Sequence, residues 1–313
     1  MYNIGIDLGG TNIAVGVVNE KYEIVGKGKL KTAKTSDASK IVADMADAVN
    51  LALKDAGITI GEVNQVGIAA PGTVVPSTGV VAYANNLPFN NTPVCPLLEE
   101  ALGVPCLIEN DANAAAYGEL LAGAGKGAKN FVMITLGTGV GGGVIIDGKI
   151  YGGFNYAGAE LGHMSIVMNG APCTCGNKGC YEAYASATAL IQQTKEAMDQ
   201  NPDSLMWEIS KEKGVNGVTA FDAMRAGDKA GTKVVETYID YIAAGLINLV
   251  NIFQPEFVAI GGGVCNEGET LLAPLREKVS KGDYNKNLPQ KAKLCVAAFG
   301  NDAGIIGAAF LQK

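Results

Sequence analysis

The sequence has no run of 18 or more apolar residues without a polar interruption, which argues against a transmembrane helix. The best candidate, 239–253, contains Asp240, Asn248 and Asn251, and we predict a buried helix there. Neither a basic n-region nor a small-residue cleavage site follows Met1. We therefore expect a cytoplasmic protein without a membrane partner.

Basic residues are in the minority, with 24 Lys and Arg against 31 Asp and Glu and a net charge of −7. This balance argues against nucleic acid as a partner, because such binding depends on a basic face. Apolar residues make up 48% of the chain, which excludes the disordered class. The length of 313 residues suggests two domains or one large one.

Glycine is the residue in excess, with 42 among 313 positions, roughly twice its usual ~7% share. No collagen-like period accounts for it, so we assign the excess to turns and close backbone approaches. Strand-like segments alternate with helical ones, which predicts an α/β fold. The first helix is predicted over 37–56 with Ser36 or Asp37 as its N-cap, and the next over 93–102 with Thr92 as its N-cap.

Two glycine turns stand at the ends of predicted strands. The first is Asp7-Leu8-Gly9-Gly10-Thr11, and an offset of 128 residues places Asp7 on Thr135 and Gly9 on Gly137. Such turns expose backbone N–H groups that bind phosphate oxygens, and Asp7 can hold a metal ion or its water. The alternatives are a simple β-hairpin turn and a repeat that arose by chance. Neither turn fits the P-loop or the Rossmann fingerprint.

Asn110 and Asp111 stand where a predicted strand gives way to an Ala-rich helix. Ligands bind at this end of strands in open α/β sheets, and Asp111 can accept a proton from a substrate hydroxyl during phosphoryl transfer. The alternative is N-capping of the helix. The two neighbouring residues can also divide these roles.

Three of the seven cysteines, Cys173, Cys175 and Cys180, lie within eight residues, and His163, the only histidine, precedes them by ten. Three thiolates and one imidazole fill a tetrahedral zinc shell, which predicts a structural ion without an open position. The alternative is that these cysteines are small buried apolar residues. Zinc would also orient the adjacent Glu182. Surface charge is the alternative for Glu160 and Glu182.

Taken together, these motifs resemble the ROK family of sugar kinases and repressors over nearly the whole chain. The matching blocks are 7–11, 70–72, 109–113, 136–143, 158–163, 173–182 and 261–263. The resemblance implies two actin-like (ribonuclease H-like) α/β domains flanking an active-site cleft. The small domain would comprise 1–112 plus 300–313, and the large domain 113–299 with the zinc-binding loop.

The resemblance also implies roles for individual residues. Asp111 would be the catalytic base, and sugar hydroxyls would be held by Asn86, Asn110, Asp111, Glu160, His163 and Glu182. ATP would be held by Asp7, Gly9, Gly10, Thr11, Asn12, Thr138, Gly139, Gly261, Gly262 and Gly263. Zinc would be held by His163, Cys173, Cys175 and Cys180. Family members are commonly dimers or larger, so we expect a homodimer or homotetramer.

Within the family, the blocks are most similar to those of bacterial glucokinases. The expected activity is therefore Mg²⁺-dependent transfer from ATP to the 6-hydroxyl of a hexose, with D-glucose first. Fructose and N-acetylated hexosamines are alternatives. The loop 85–89 lacks the tryptophan that many glucokinases carry there, since the only tryptophan is Trp207. A sugar-sensing repressor is disfavoured, because only six residues precede Asp7 and leave no room for a DNA-binding region.

Overall fold

The structure is a computed structural model that describes residues 1–35 and 37–312. The strands are β1 (Tyr2–Leu8), β2 (Asn12–Val18), β3 (Ile24–Lys31), β4 (Val63–Ala70), β5 (Thr73–Val75), β6 (Val80–Tyr83), β7 (Asn90–Thr92), β8 (Cys106–Asn110), β9 (Phe131–Leu136), β10 (Val140–Ile146), β11 (Lys149–Ile150), β12 (Phe257–Gly261) and β13 (Lys293–Val296). The α-helices are α1 (Ala38–Ala56), α2 (Val94–Leu102), α3 (Asp111–Ala122), α4 (Glu182–Ala185), α5 (Ala187–Gln200), α6 (Met206–Ile209), α7 (Thr219–Arg225), α8 (Lys229–Phe253), α9 (Glu269–Gly282) and α10 (Asp302–Ala309). The α/β prediction is confirmed.

The chain forms two compact units. The first comprises Met1–Phe131, Gly143–Ala159 and Ala297–Lys313, and the second comprises Val132–Gly142 and Glu160–Val296. The domain bounds that the resemblance implies, 1–112 plus 300–313 for the small domain and 113–299 for the large one, stay a prediction.

A five-stranded sheet of order β3-β2-β1-β4-β8 forms the centre of the first unit. β1 pairs antiparallel with β2 and parallel with β4, and β4 pairs parallel with β8. The buried residues of α1, among them Ile41, Met45 and Val49, join Ile4 and Ile6 of β1 in one core cluster. The carboxyl ends of β1, β4 and β8 therefore share one edge, which is where Asp7 and Asn110 lie.

Glycines on the sheet allow α10 to approach it closely. A Cβ at Gly5 would lie 1.9 Å from the Ile305 carbonyl oxygen, and one at Gly67 would lie 1.7 Å from that of Ala308. Backbone atoms cannot move aside as the end of a flexible side chain can. Glycine is therefore required at both positions by packing.

Gly67→Ala is expected to lower the free energy of unfolding by about 3 kcal/mol, because the added methyl group overpacks the contact between β4 and α10. Urea denaturation measures the change. Gly61→Ala is the matched control, since its Cβ would meet only the Thr59 hydroxyl at 3.8 Å. It should change the stability by less than about 1 kcal/mol. Equal effects of the two substitutions would contradict this explanation.

The second five-stranded sheet has the order β11-β10-β9-β12-β13, so it repeats the strand pattern of the first. The predicted offset of 128 residues carries β2, residues 12–18, onto 140–146, which are the bounds of β10. In both sheets a glycine hairpin joins two neighbouring strands. A third sheet, β5-β6-β7, has three strands.

The predicted helix caps have mixed outcomes. Asp37 caps α1, because its side chain accepts a hydrogen bond from the Ser39 N–H at 2.9 Å. Ser36, the alternative cap, lies outside the described residues. The prediction of Thr92 as a cap is wrong: Pro93 occupies the N-cap of α2, and the Thr92 hydroxyl accepts instead from the Asn90 N–H at 3.2 Å. Within the described residues, no helix is long and apolar enough to span a bilayer.

Candidate active site

The first glycine turn connects β1 and β2 as a tight hairpin. The Gly9 N–H donates to the Asn12 carbonyl oxygen at 2.9 Å, and the Thr32 hydroxyl donates to the Gly9 carbonyl oxygen at 2.6 Å. Gly10 and Thr11 are exposed at the tip. The turn is therefore a β-hairpin turn, as the alternative to a phosphate site predicts, but its exposed tip is accessible to a ligand.

Asn86, a predicted sugar residue, lies beside this tip. A Cβ at Gly10 would be 3.2 Å from the Cβ of Asn86, so a larger residue would crowd the loop 85–89. Asn85 and Asn86 are exposed, whereas Leu87 and Phe89 are buried. The aromatic residue of this loop therefore packs into the core and does not replace the missing tryptophan as an exposed ring.

Asp7 lies on β1 directly before the glycine turn. Burial and the nearby negative charge of Asp111 raise its pKa to about 6. Partial desolvation also raises the pKa of Asp111. The charge of Asp111 thus disfavours the charged form of Asp7, and a divalent cation bound beside Asp7 would offset both this repulsion and the cost of burial.

Asp7→Asn is expected to raise the free energy of unfolding at pH 7 by about 2 kcal/mol in Mg²⁺-free buffer. The folded protein disfavours the charged carboxylate, and the asparagine removes that cost. Because the folded pKa is raised, wild-type protein gains stability as the pH falls from about 6 towards 3.8. The difference should therefore be largest above pH 6 and vanish below about pH 4.

Denaturant titrations at several pH values measure this difference. Asp199→Asn, at an exposed position of α5, is the control and should change the stability by less than about 0.5 kcal/mol at every pH. A difference for Asp7→Asn that does not depend on pH would refute the role of the carboxylate charge.

The strand-to-helix junction divides its roles between two residues, as one of the sequence alternatives allowed. Asn110 is the N-cap of α3: its side-chain oxygen accepts from the N–H groups of Ala112 and Asn113 at 2.9 and 3.3 Å. Its amide also donates to the Gly72 carbonyl oxygen at 3.2 Å. Asp111 is the first helical residue, and one of its oxygens accepts from the Ala112 N–H at 2.8 Å. Capping therefore does not account for the second oxygen of Asp111.

Sequence reasoning missed the polar support beneath this junction. A carboxylate oxygen of Glu109 accepts from the Asn110 N–H at 2.9 Å and from the Asn113 amide at 3.1 Å. Burial raises the pKa of Glu109. The only sequence signal for this contact is the four-residue spacing of Glu109 and Asn113. That spacing brings the two side chains together only if the strand turns directly into a helix between them, which the sequence alone does not establish.

The second glycine turn, between β9 and β10, belongs to the second unit. The Gly137 N–H donates to the Gly139 carbonyl oxygen at 3.0 Å, and the Ala187 N–H donates to the Gly137 carbonyl oxygen at 2.8 Å. Thr138 is exposed at its tip. Gly262 lies against it: its φ is 96°, and a Cβ there would be 2.3 Å from the Leu136 carbonyl oxygen. The structure thus brings the predicted nucleotide glycines 261–263 next to this turn.

The four predicted metal ligands come together in the second unit. One ligand atom from each of His163, Cys173, Cys175 and Cys180 lies within 4.8 Å of all the others. His163 Nδ1 is 3.7 Å from Cys173 Sγ, and Cys175 Sγ is 3.6 Å from Cys180 Sγ. Bonds of about 2.1–2.3 Å to a tetrahedral ion require ligand separations of roughly 3.7 Å. The donor set and its spacing therefore fit zinc, with no position left for water.

The two predicted sugar glutamates of this unit differ. Glu160 is exposed before the short 3₁₀ turn Leu161–His163. Glu182 is half-buried; its Oε2 accepts from the Val140 N–H at 2.9 Å, and its Oε1 lies 3.8 Å from Cys173 Sγ. Glu182 is therefore not simply a solvated surface charge.

The predicted site residues thus form two groups, one in each unit. The first unit contains Asp7, Gly9, Gly10, Thr11, Asn12, Asn86, Asn110 and Asp111. The second contains Thr138, Gly139, Glu160, His163, Glu182, Gly261, Gly262 and Gly263 together with the three cysteines. Each group joins residues from distant parts of the sequence.

The chain is similar to known proteins over most or nearly all of its length. A glucokinase of Halalkalibacterium halodurans is 36% identical over 99% of this chain and 94% of its own length. The crystal structure of a ROK family glucokinase from Streptomyces griseus in complex with glucose and AMPPNP has a TM-score of 0.80 and 36% identity, covering 99% of this chain and 98% of that one. A xylose repressor of Caldicellulosiruptor bescii is 30% identical over 90% of this chain and 70% of its own length.

These similarities confirm the fold predicted from the resemblance, a mixed α/β protein with two five-stranded sheets like those of actin-like two-domain kinases. The zinc-type ligand cluster is also consistent with that resemblance. The sequence profile of the ROK family matches residues 3–313. The chain therefore belongs to the ROK family.

Proposed function

We propose that this protein is an ATP-dependent hexose kinase that phosphorylates the 6-hydroxyl of D-glucose. The observation that carries the proposal is the pair formed by Asp7 and Asp111 at one sheet edge, beside the exposed tip of the first glycine turn. The similarity to glucokinases over 99% of the chain supports glucose as the hexose. The family alone does not decide this, because it also includes repressors.

In the proposed reaction, Asp111 accepts the proton of the sugar 6-hydroxyl as that oxygen bonds to the γ-phosphorus of ATP. The bond between the γ-phosphorus and the β,γ-bridging oxygen breaks, and ADP leaves. Asn110 fixes the start of α3 and thereby the position of Asp111. Backbone N–H groups of the two glycine turns would bind phosphate oxygens, with the hydroxyls of Thr11 and Thr138 beside them. A Mg²⁺ ion, for which Asp7 is the candidate ligand, would neutralise charge on the phosphates when bound.

On the sugar, Asn86, Asn110, Glu160, His163 and Glu182 are the proposed partners of hydroxyl groups. Asparagine and glutamate side chains suit this task, because they pair with the donors and acceptors of a polyol. The zinc ion would hold His163 and the loop of Glu182 in place without taking part in the chemistry.

A coupled assay with ATP and Mg²⁺ tests the function against glucose, fructose, mannose, N-acetylmannosamine and N-acetylglucosamine. We expect glucose to give the highest kcat/KM. A preference for another hexose would correct the substrate and keep the reaction, whereas phosphorylation of none of them would overturn the proposal. Size-exclusion chromatography with light scattering tests the predicted homodimer or homotetramer, and cell fractionation tests the expected cytoplasmic location.

A further inference from the structure

The carboxylate of Glu182 connects the metal-ligand cluster to the second glycine turn. Its Oε2 accepts from the Val140 N–H at 2.9 Å, at the point where the turn becomes β10. Its Oε1 lies 3.8 Å from Cys173 Sγ. One side chain therefore contacts both a predicted zinc ligand and the backbone of the predicted phosphate turn.

The turn and Glu182 fit each other closely. A Cβ at Gly139 would lie 2.1 Å from Glu182 Oε2 and 2.9 Å from its Cδ, although the φ of Gly139 is one that other residues adopt. An alanine at this position would therefore displace the carboxylate from Val140. A substitution here would therefore act by moving the Glu182 carboxylate, because the three nearest atoms that a Cβ would meet all belong to that side chain.

The residues before and after Glu182 in the chain are themselves fixed by contacts. Cys180, two residues earlier, belongs to the metal-ligand cluster. The fully buried Tyr181 donates from its hydroxyl to the Ile242 carbonyl oxygen at 3.0 Å, and its ring fills the space beside Gly245 of α8. Glu182 then starts α4, and Ala187, at the start of α5, donates to the Gly137 carbonyl oxygen. The segment 180–187 thus touches the turn at two points, one from a side chain and one from the backbone.

We propose that Glu182 is a positioning residue for the Gly137–Gly139 turn and that it couples zinc binding to nucleotide binding. The inference rests on the proposed kinase function, because it assigns the turn to the phosphates of ATP. A turn whose N–H groups are already fixed binds its ligand more tightly, because less conformational entropy is lost on binding. The ion fixes the loop that carries Glu182, and Glu182 fixes the turn. This role is separate from any contact of Glu182 with sugar.

The test measures MgADP binding by calorimetry in the absence of sugar, on zinc-loaded protein. Glu182→Ala should weaken MgADP binding about 10-fold, the loss expected for one hydrogen bond to a charged acceptor. Glu182→Gln retains an oxygen for the Val140 N–H and should stay within about twofold of wild type. Glu160→Ala is the matched control, since its removal should lower sugar affinity and leave MgADP affinity unchanged.

A double-mutant cycle isolates the contact. Gly139→Ala alone should weaken MgADP binding about 10-fold, but in the Glu182→Ala background it should add less than about twofold, because the carboxylate that it displaces is gone. A further readout is zinc release to a chromogenic chelator. Bound MgADP should slow that release in wild type and not in Glu182→Ala, since coupling between two ligands is reciprocal.

Three results would overturn the proposal: unchanged MgADP affinity in Glu182→Ala, a Glu182→Gln variant as weak as the alanine variant, or additive effects in the cycle. Circular dichroism and zinc content establish that each variant is folded and loaded. Failure of wild-type protein to bind MgADP would refute the proposed function and this inference with it. Wild-type binding with an additive cycle would refute the coupling alone.

Discussion

An Asp111→Asn variant is expected to lose about 10²–10⁴-fold in kcat while it keeps the fold and melts at or above the temperature of wild type. Asparagine has the size of aspartate and accepts a hydrogen bond from the Ala112 N–H, but it cannot take a proton from the sugar hydroxyl. The helix cap is unaffected, because Asn110 provides it. The coupled assay and a thermal melt measure the two quantities.

Asn110→Ala is the control that separates catalysis from capping. It removes the side chain that accepts from the Ala112 and Asn113 N–H groups, so it should lower the stability by about 1 kcal/mol. Asp111→Asn should not. An Asp111→Asn enzyme that retains half of its turnover would refute the assignment of Asp111 as the base.

Purified protein is expected to contain about one zinc ion per chain, and Cys175→Ser is expected to lower the zinc content, the melting temperature and the sugar affinity together. The ion's binding energy would contribute to folding of the loop 163–182, and this loop carries His163 and Glu182, the two residues proposed to bind sugar. Loss of a single supporting contact often costs 10- to 100-fold, and we expect loss of the whole ion to cost more than about 100-fold in kcat/KM for sugar.

Elemental analysis, thermal melts and sugar titrations measure these changes. Cys265→Ser is the matched control: this buried cysteine lies outside the cluster, and its thiol donates to the Ile260 carbonyl oxygen at 3.2 Å, a bond that serine can keep. Its zinc content should equal that of wild type. Fully active protein without zinc would refute the predicted metal site.

The sequence was sufficient to predict those features whose residues lie close together in the chain. The glycine hairpins, the strand-to-helix junction at Asn110 and the C-x-C-x4-C spacing each lie within a few residues, and backbone geometry restricts what such patterns can form. The repeat offset of 128 residues identified β10 because both copies keep the same hairpin. The sequence also identified His163 as the fourth candidate ligand, because it is the only histidine and lies ten residues from the first of the three cysteines.

The same local signals did not resolve competing hydrogen-bond partners. Thr92 has the residue type of an N-cap, yet its hydroxyl accepts from the Asn90 N–H within β7, the strand that precedes α2. At Asn110 and Asp111, both residues are good caps, and only the backbone conformation at the junction decides that Asn110 is the cap. The choice depends on backbone torsions that residue type biases weakly.

What the sequence by itself determined about this protein is the inventory of its candidate site: two glycine turns predicted to bind phosphate, a candidate base and four predicted metal ligands. What only the tertiary structure decided is which of these residues act on each other. The pair Asp7 and Asp111, the bond from Val140 to Glu182 and the close approach of Gly67 to Ala308 join residues 104, 42 and 241 positions apart. Such contacts leave no local pattern, because they arise when strands and helices pack and bring distant residues to one edge or one turn. The raised pKa of Asp7 and the close contact between Gly139 and the Glu182 carboxylate follow from that packing alone.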